Sequence, residues 1–232
     1  MKSNGKVLGI LGGMGPAASA DFLRLLTAYS PACCDQEQPQ AILYSKTVIP
    51  NRTSFLLGDG PDPTPALIDG LEKLLEWGSD YLAVTCNTSH YYIDSFPKEI
   101  QSKLISIVDE TIIAAKNVSP HGSWLTATLG TMQTNLYQNH SKRYDYTFHI
   151  PDAEMKIRIH EVTDLVKAGK NEIAGSMFKE ICESLWEIQH LPIVCACTEL
   201  PIAYQYAGLP ENMCISSLDA LARACVQKLY DF

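Results

Sequence analysis

Val84-Thr85-Cys86-Asn87-Thr88-Ser89-His90 and Val194-Cys195-Ala196-Cys197-Thr198-Glu199-Leu200 follow one pattern: an apolar run, a cysteine at its end, then a polar segment. Each apolar run reads as a buried strand and each polar segment as the start of a helix. A thiol in that place lies at the C-terminal end of a strand, where ligands bind in open α/β sheets. Amides at the start of a helix also favour the thiolate over the thiol. One such thiol in each half of the chain suggests a matched pair acting on one substrate.

Working outward, short apolar runs alternate with longer amphipathic stretches. Strands are expected at 7–11, 41–45, 81–85, 104–108, 124–129, 146–150, 192–196 and 213–215, and helices at 65–77, 153–167 and 171–189 among others. This alternation predicts an α/β fold with mainly parallel sheets flanked by helices. The polar stretch 116–122 carries Pro120 and Gly122 and is the best linker. A weak repeat crosses it: Leu11-Gly12-Gly13-Met14 resembles Leu129-Gly130-Thr131-Met132, and the Cys86 segment resembles the Cys197 segment. Two pseudo-symmetric lobes are expected, one of residues 1–116 with 213–232 and one of 117–212.

The chain of 232 residues is 46% hydrophobic, enough for a large core, and carries a net charge of −8. That charge argues against nucleic-acid or anionic-membrane partners, which need a basic face. An acidic substrate would depend on a few local cations. There are eight cysteines in a chain whose start does not read as a signal segment, so a disulfide framework is not expected. No apolar run approaches a membrane span of about 20 residues. A cytoplasmic setting with reduced thiols is expected.

Several motifs carry two readings. Gly12-Gly13-Met14-Gly15-Pro16 is either a cradle of backbone amides for an anion or simply a tight turn, with Pro16 suited to the first turn of a helix. It is neither a dinucleotide fingerprint nor a P-loop, so no nucleotide cofactor is indicated. Arg52, after the second strand, is either a bidentate carboxylate clamp or an exposed loop residue. Lys156 reads locally as a solvated lysine on a helix face. Cys182, Cys195 and Cys225 read as core residues, and Cys33 and Cys34 as loop residues. No cysteine spacing is a zinc pattern, so no metal is expected. The six histidines show no triad spacing, although His90 lies one turn after Cys86 and is placed to tune it.

These residues together resemble the PLP-independent aspartate/glutamate racemase family. The resemblance runs almost end to end. It rests on residues 12–16, Asp35-Gln36-Glu37-Gln38-Pro39, Pro50-Asn51-Arg52-Thr53, Cys86-Asn87-Thr88-Ser89-His90, Leu129-Gly130-Thr131 and Cys197-Thr198-Glu199-Leu200. It implies two similar lobes with an active site between them, no cofactor, and a homodimer. It casts Cys86 and Cys197 as opposed acid and base, and Arg52 as the arginine that binds a carboxylate. Asn87, Thr88, Thr131 and Thr198 match substrate-holding positions, and Met14 and Glu199 lie in the same motifs. Lys156 matches a lysine near the site. The chain departs from the pattern at Ala18-Ser19, where Ala-Thr is common, and at Ser89, where Ala is common. The implied activity is racemisation of an acidic amino acid, aspartate first and glutamate second. The alternatives are a non-catalytic amino-acid binder on the same scaffold and a cysteine-dependent isomerase or decarboxylase of a small dicarboxylate. A zinc hydrolase is more remote.

Overall fold

The computed structural model describes residues 1–231. The chain divides into two units, residues 1–107 with 218–231, and Val108–Ser217. In the first unit the order is β1 (Val7–Gly12), α1 (Pro16–Tyr29), β2 (Gln40–Ser45), α2 (Arg52–Leu56), α3 (Thr64–Glu76), β3 (Tyr81–Val84), α4 (Lys98–Lys103) and β4 (Leu104–Ile105). Then come α5 (Ile107–Val118), β5 (Ser123–Thr126), α6 (Leu129–Gln133), α7 (Leu136–Ser141) and β6 (Phe148–His149). The rest is α8 (Ala153–Lys167), α9 (Asn171–Ile188), β7 (Ile193–Cys195), α10 (Leu200–Ala207), β8 (Cys214–Ser216) and α11 (Ser217–Leu229).

Each unit holds a four-stranded parallel sheet. The orders are β2-β1-β3-β4 and β6-β5-β7-β8, the same winding twice. The inner strands read as unbroken apolar runs because helices cover both faces of a parallel sheet. Leu8, Ile10 and Leu11 of β1, Leu82 and Ala83 of β3, and Ile193 and Val194 of β7 are fully buried. Around the first sheet pack Leu67, Leu71 and Leu74, the i, i+4, i+7 stripe of α3. Around the second pack Ile159, Val162 and Val166 of α8, with Phe178, Ile181 and Leu185 of α9.

The repeat extends to single hydrogen bonds. Beyond the last paired residues, the Thr85 N–H donates to the Leu11 carbonyl at 3.1 Å, and the Ala196 N–H donates to the Thr126 carbonyl at 2.8 Å. Thr85 and Ala196 each precede the cysteine of their half, so the two chain ends leave their sheets alike.

The strands expected at 104–108, 124–129 and 146–150 are shorter than their apolar runs. The run 104–108 splits at Ser106, because Ile107, Val108, Thr111, Ile112 and Ala115 bury one face of α5 at helical spacing. The run 124–129 ends where Thr128 caps α6 by accepting from the Thr131 N–H at 3.3 Å. The run 146–150 pairs only at Phe148 and His149. The stretch 116–122 is the end of α5 plus a turn closed by the Gly122 N–H on the Ser119 carbonyl at 3.1 Å. The unit boundaries fall at 107/108 and 217/218, whereas the sequence reading puts them at 116/117 and 212/213.

The loop after β1 needs glycine. Gly13 has φ +90°, and a Cβ there would lie 2.6 Å from the Lys46 carbonyl carbon. Its N–H donates to Ser19 Oγ at 3.0 Å, and Ser19 Oγ also bonds Thr85 Oγ1 at 3.0 Å. The tight-turn reading of this motif therefore describes Gly13, whose amide is spent inside the protein. Gly13→Ala combines left-handed strain with overpacking and is expected to cost about 3 kcal/mol of stability. A denaturant titration beside the wild type measures it, and an unchanged midpoint would contradict this account of the turn.

Candidate active site

In a sheet of order 2-1-3-4 the chain reverses its winding between the first and third strands, and ligands bind at the C-terminal ends there. In the first unit that point lies between β1 and β3, where Gly13-Met14 and Cys86-Asn87-Thr88 emerge. In the second it lies between β5 and β7, where Thr128 to Thr131 and Cys197-Thr198-Glu199 emerge. Both cysteines are 6% exposed, and each lies two residues past its strand.

In the first unit the loops are tied together. Arg52 stands at the start of α2, which Asn51 caps by accepting from the Thr53 and Ser54 amides at 2.9 and 3.2 Å. Its guanidinium donates to the carbonyls of Ile49 at 3.3 Å, Pro50 at 2.9 Å and Met14 at 3.2 Å. All three acceptors are neutral, and Nε is shielded without a partner. Among the described residues Arg52 has no acidic partner. Lys46 is different: it is buried, but it pairs with Asp69 and donates to the Ala66 carbonyl at 2.9 Å. Arg52 thus keeps an uncompensated charge in a fixed place, as a carboxylate clamp requires. The Tyr92 hydroxyl donates to the Arg52 carbonyl at 3.1 Å. Met14 accepts from Arg52 through its carbonyl, and its Sδ accepts from Ser89 Oγ at 3.4 Å.

Asn87, Thr88 and Ser89 are buried, and the segment Thr88–Ser95 turns as a 3₁₀ helix. His90 is also buried. The Ile107 N–H donates to its Nε2 at 3.3 Å, so that nitrogen is an acceptor. Its Nδ1 therefore carries the proton and donates to the Cys86 carbonyl at 3.0 Å. The contact is with the backbone, so His90 fixes the Cys86 loop by a different route from the expected tuning of the thiol.

In the second unit the Cys197 thiol donates to Glu199 Oε2 at 3.0 Å. Thr198 Oγ1 donates to the same oxygen at 3.2 Å. Thr198 and Glu199 are 2% and 3% exposed. Burial pushes the Cys197 thiol well above its ordinary range, Glu199 adds to the rise, and Lys167 opposes it. Thr131 is fully buried and accepts from Thr128 Oγ1 at 3.1 Å.

Lys167 went unnoticed in the sequence. Burial pulls its ammonium down, but the charges of Cys197, Glu199 and Asp164 outweigh burial and raise it. Lys156 lies eleven residues earlier on α8, about 16 Å along the axis at 1.5 Å per residue. Of the two, Lys167 is the one whose charge interacts with Cys197, and it also pairs with Asp164 at 3.1 Å from a partly exposed position; Lys156 is half-buried and has no ion-pair partner among the described residues. The lysine shared one helix face with Lys156, and only the packing of α8 distinguishes them.

The other cysteines lie outside the two cysteine loops. Cys182, Cys195 and Cys225 are buried, and Cys33 and Cys34 are exposed. Cys195 and Cys214 have their sulfurs 3.7 Å apart. Among the described residues no three His, Cys, Asp or Glu side chains converge as a metal ion would need.

The Asp/Glu/Hydantoin racemase family model matches residues 11–225. The broad specificity amino-acid racemase RacX of Bacillus subtilis is 32% identical over 142 residues, 57% of this chain and 59% of that protein. The match thus spans under two thirds of that relative's length. Among solved structures, the aspartate racemase of Picrophilus torridus superposes with a TM-score of 0.84 at 26% identity, over 97% of this chain and 94% of that one. The glutamate racemase isoform RacE1 of Bacillus anthracis gives 0.63 at 16% identity, over 95% of this chain and 80% of that one. At that identity the likeness is one of fold.

Proposed function

Because the chain belongs to the Asp/Glu/hydantoin racemase family, we propose that it racemises an acidic amino acid, aspartate first, without a cofactor. The observation that carries this reading is the matched placement of Cys86 and Cys197. Each lies two residues past the third strand of an identically wound sheet, at the point where that sheet reverses its winding.

The Cα–H of an amino acid is a very weak acid, and here no cofactor serves as an electron sink. The developing carbanion is stabilised through the α-carboxylate by preorganised donors. Asn87, Thr88, Thr131 and Thr198 supply hydroxyl and amide groups for this, with Met14 shaping the loop. One cysteine, as thiolate, takes the proton from one face of Cα; the other, as thiol, delivers a proton to the opposite face. The roles exchange for the other enantiomer.

Arg52 binds the side-chain carboxylate, and Lys167 adds a second cation, so a net-negative chain can hold an acidic substrate. The reading includes a homodimer in the cytoplasm. Among the described residues no helix is long and apolar enough to cross a membrane.

The test is chiral chromatography of L-aspartate and L-glutamate after incubation with the purified protein. Appearance of the D-enantiomer without added cofactor is expected. Tight binding of either amino acid with no interconversion would replace this reading by that of a binding protein.

A further inference from the structure

The two cysteine segments differ at one chemically decisive position. Glu199 stands two residues after Cys197, and the residue two after Cys86 is Thr88, a hydroxyl. The difference is seen in the bonds. Glu199 Oε2 receives the Cys197 thiol at 3.0 Å and the Thr198 hydroxyl at 3.2 Å, all within the protein interior.

From this geometry we infer that Glu199 is a positioning residue which keeps a proton on Cys197 in the free protein. The consequence for catalysis rests on the racemase reading: Cys197 starts as the acid of the pair.

Two effects act in the same direction. A carboxylate accepting from S–H stabilises the protonated form, and the same carboxylate repels the thiolate that would replace it. Cys197 is faced by Glu199 on its own segment, by Lys167 on α8 and by the buried Tyr137 on α7. Lys167 and the backbone amide of Glu199 favour the thiolate, but the Glu199 carboxylate touches the sulfur and opposes it the more strongly.

Iodoacetamide alkylation tests the inference, because the thiolate is the reacting form. Rates at each cysteine, located by tandem mass spectrometry, are followed across pH for the wild type and Glu199→Gln. In Glu199→Gln the amide has no charge and can donate to the thiolate. The Cys197 profile should move down by about one pH unit, an increase of about tenfold in rate at neutral pH. Cys86 should not move.

Cys182 and Cys195, both fully buried, report loosening of the fold, and their slow rates should persist. If they quicken in Glu199→Gln, Glu199→Asp, which keeps the charge but draws it back from the sulfur, decides by the same downward move of the Cys197 profile. A Cys197 profile that stays put in an intact variant overturns the inference. Loss of the racemase reading would show separately, as a Cys197 profile that moves as expected in a protein whose wild type never exchanges a Cα proton.

Discussion

Replacing Cys86 or Cys197 by serine is expected to cut racemisation of aspartate by about 10³-fold, within the range that a positioned acid or base contributes. A hydroxyl is much less acidic than a thiol and supplies almost no anion near neutral pH, so the substituted face loses its base. Both directions of racemisation fall together, since each needs one group on either face. Proton exchange with solvent should separate the two variants. Each retains one working thiol, so each should exchange the Cα proton of one enantiomer, and the two variants should favour opposite enantiomers. Chiral analysis and mass spectrometry in D₂O measure both quantities. If both single variants racemise at the wild-type rate, the two-thiol assignment fails.

Removing the Arg52 guanidinium is expected to raise KM for aspartate by about 10- to 100-fold. A hydrogen bond to a charged group contributes roughly 1.5–3 kcal/mol, and a clamp on the distal carboxylate acts alike on ground and transition states. The change in kcat should be smaller, and the preference for aspartate over alanine should collapse. The structural reason is specific: Arg52 is held by three neutral carbonyls with no acidic partner among the described residues, whereas buried Lys46 is already paired with Asp69. Steady-state kinetics of Arg52→Ala with both amino acids provides the check. An unchanged preference would remove this role.

The sequence made the sheet architecture readable because parallel strands buried on both faces leave short apolar runs that alternate with helical periodicity. It made the duplication readable because the two cysteine segments sit at like strand ends. It was less informative where one apolar run serves two elements. Ile107 and Val108 belong to the buried face of α5, and a run of that length does not distinguish strand from helix. Lys167 escaped for a related reason. A lysine on an exposed-looking helix becomes a site residue only when its helix packs against the cysteine loop, and no local pattern records that packing. His90 shows the opposite case, in which the spacing was right but the bond is to the Cys86 carbonyl.

Proton exchange at Cα of L- and D-aspartate in D₂O, followed by proton NMR with the unmodified protein, tests the central claim most directly. Two thiols serving one stereocentre predict deuterium incorporation from both enantiomers, accompanied by appearance of the mirror form. Exchange from neither enantiomer, or from one alone with its configuration retained, would contradict it.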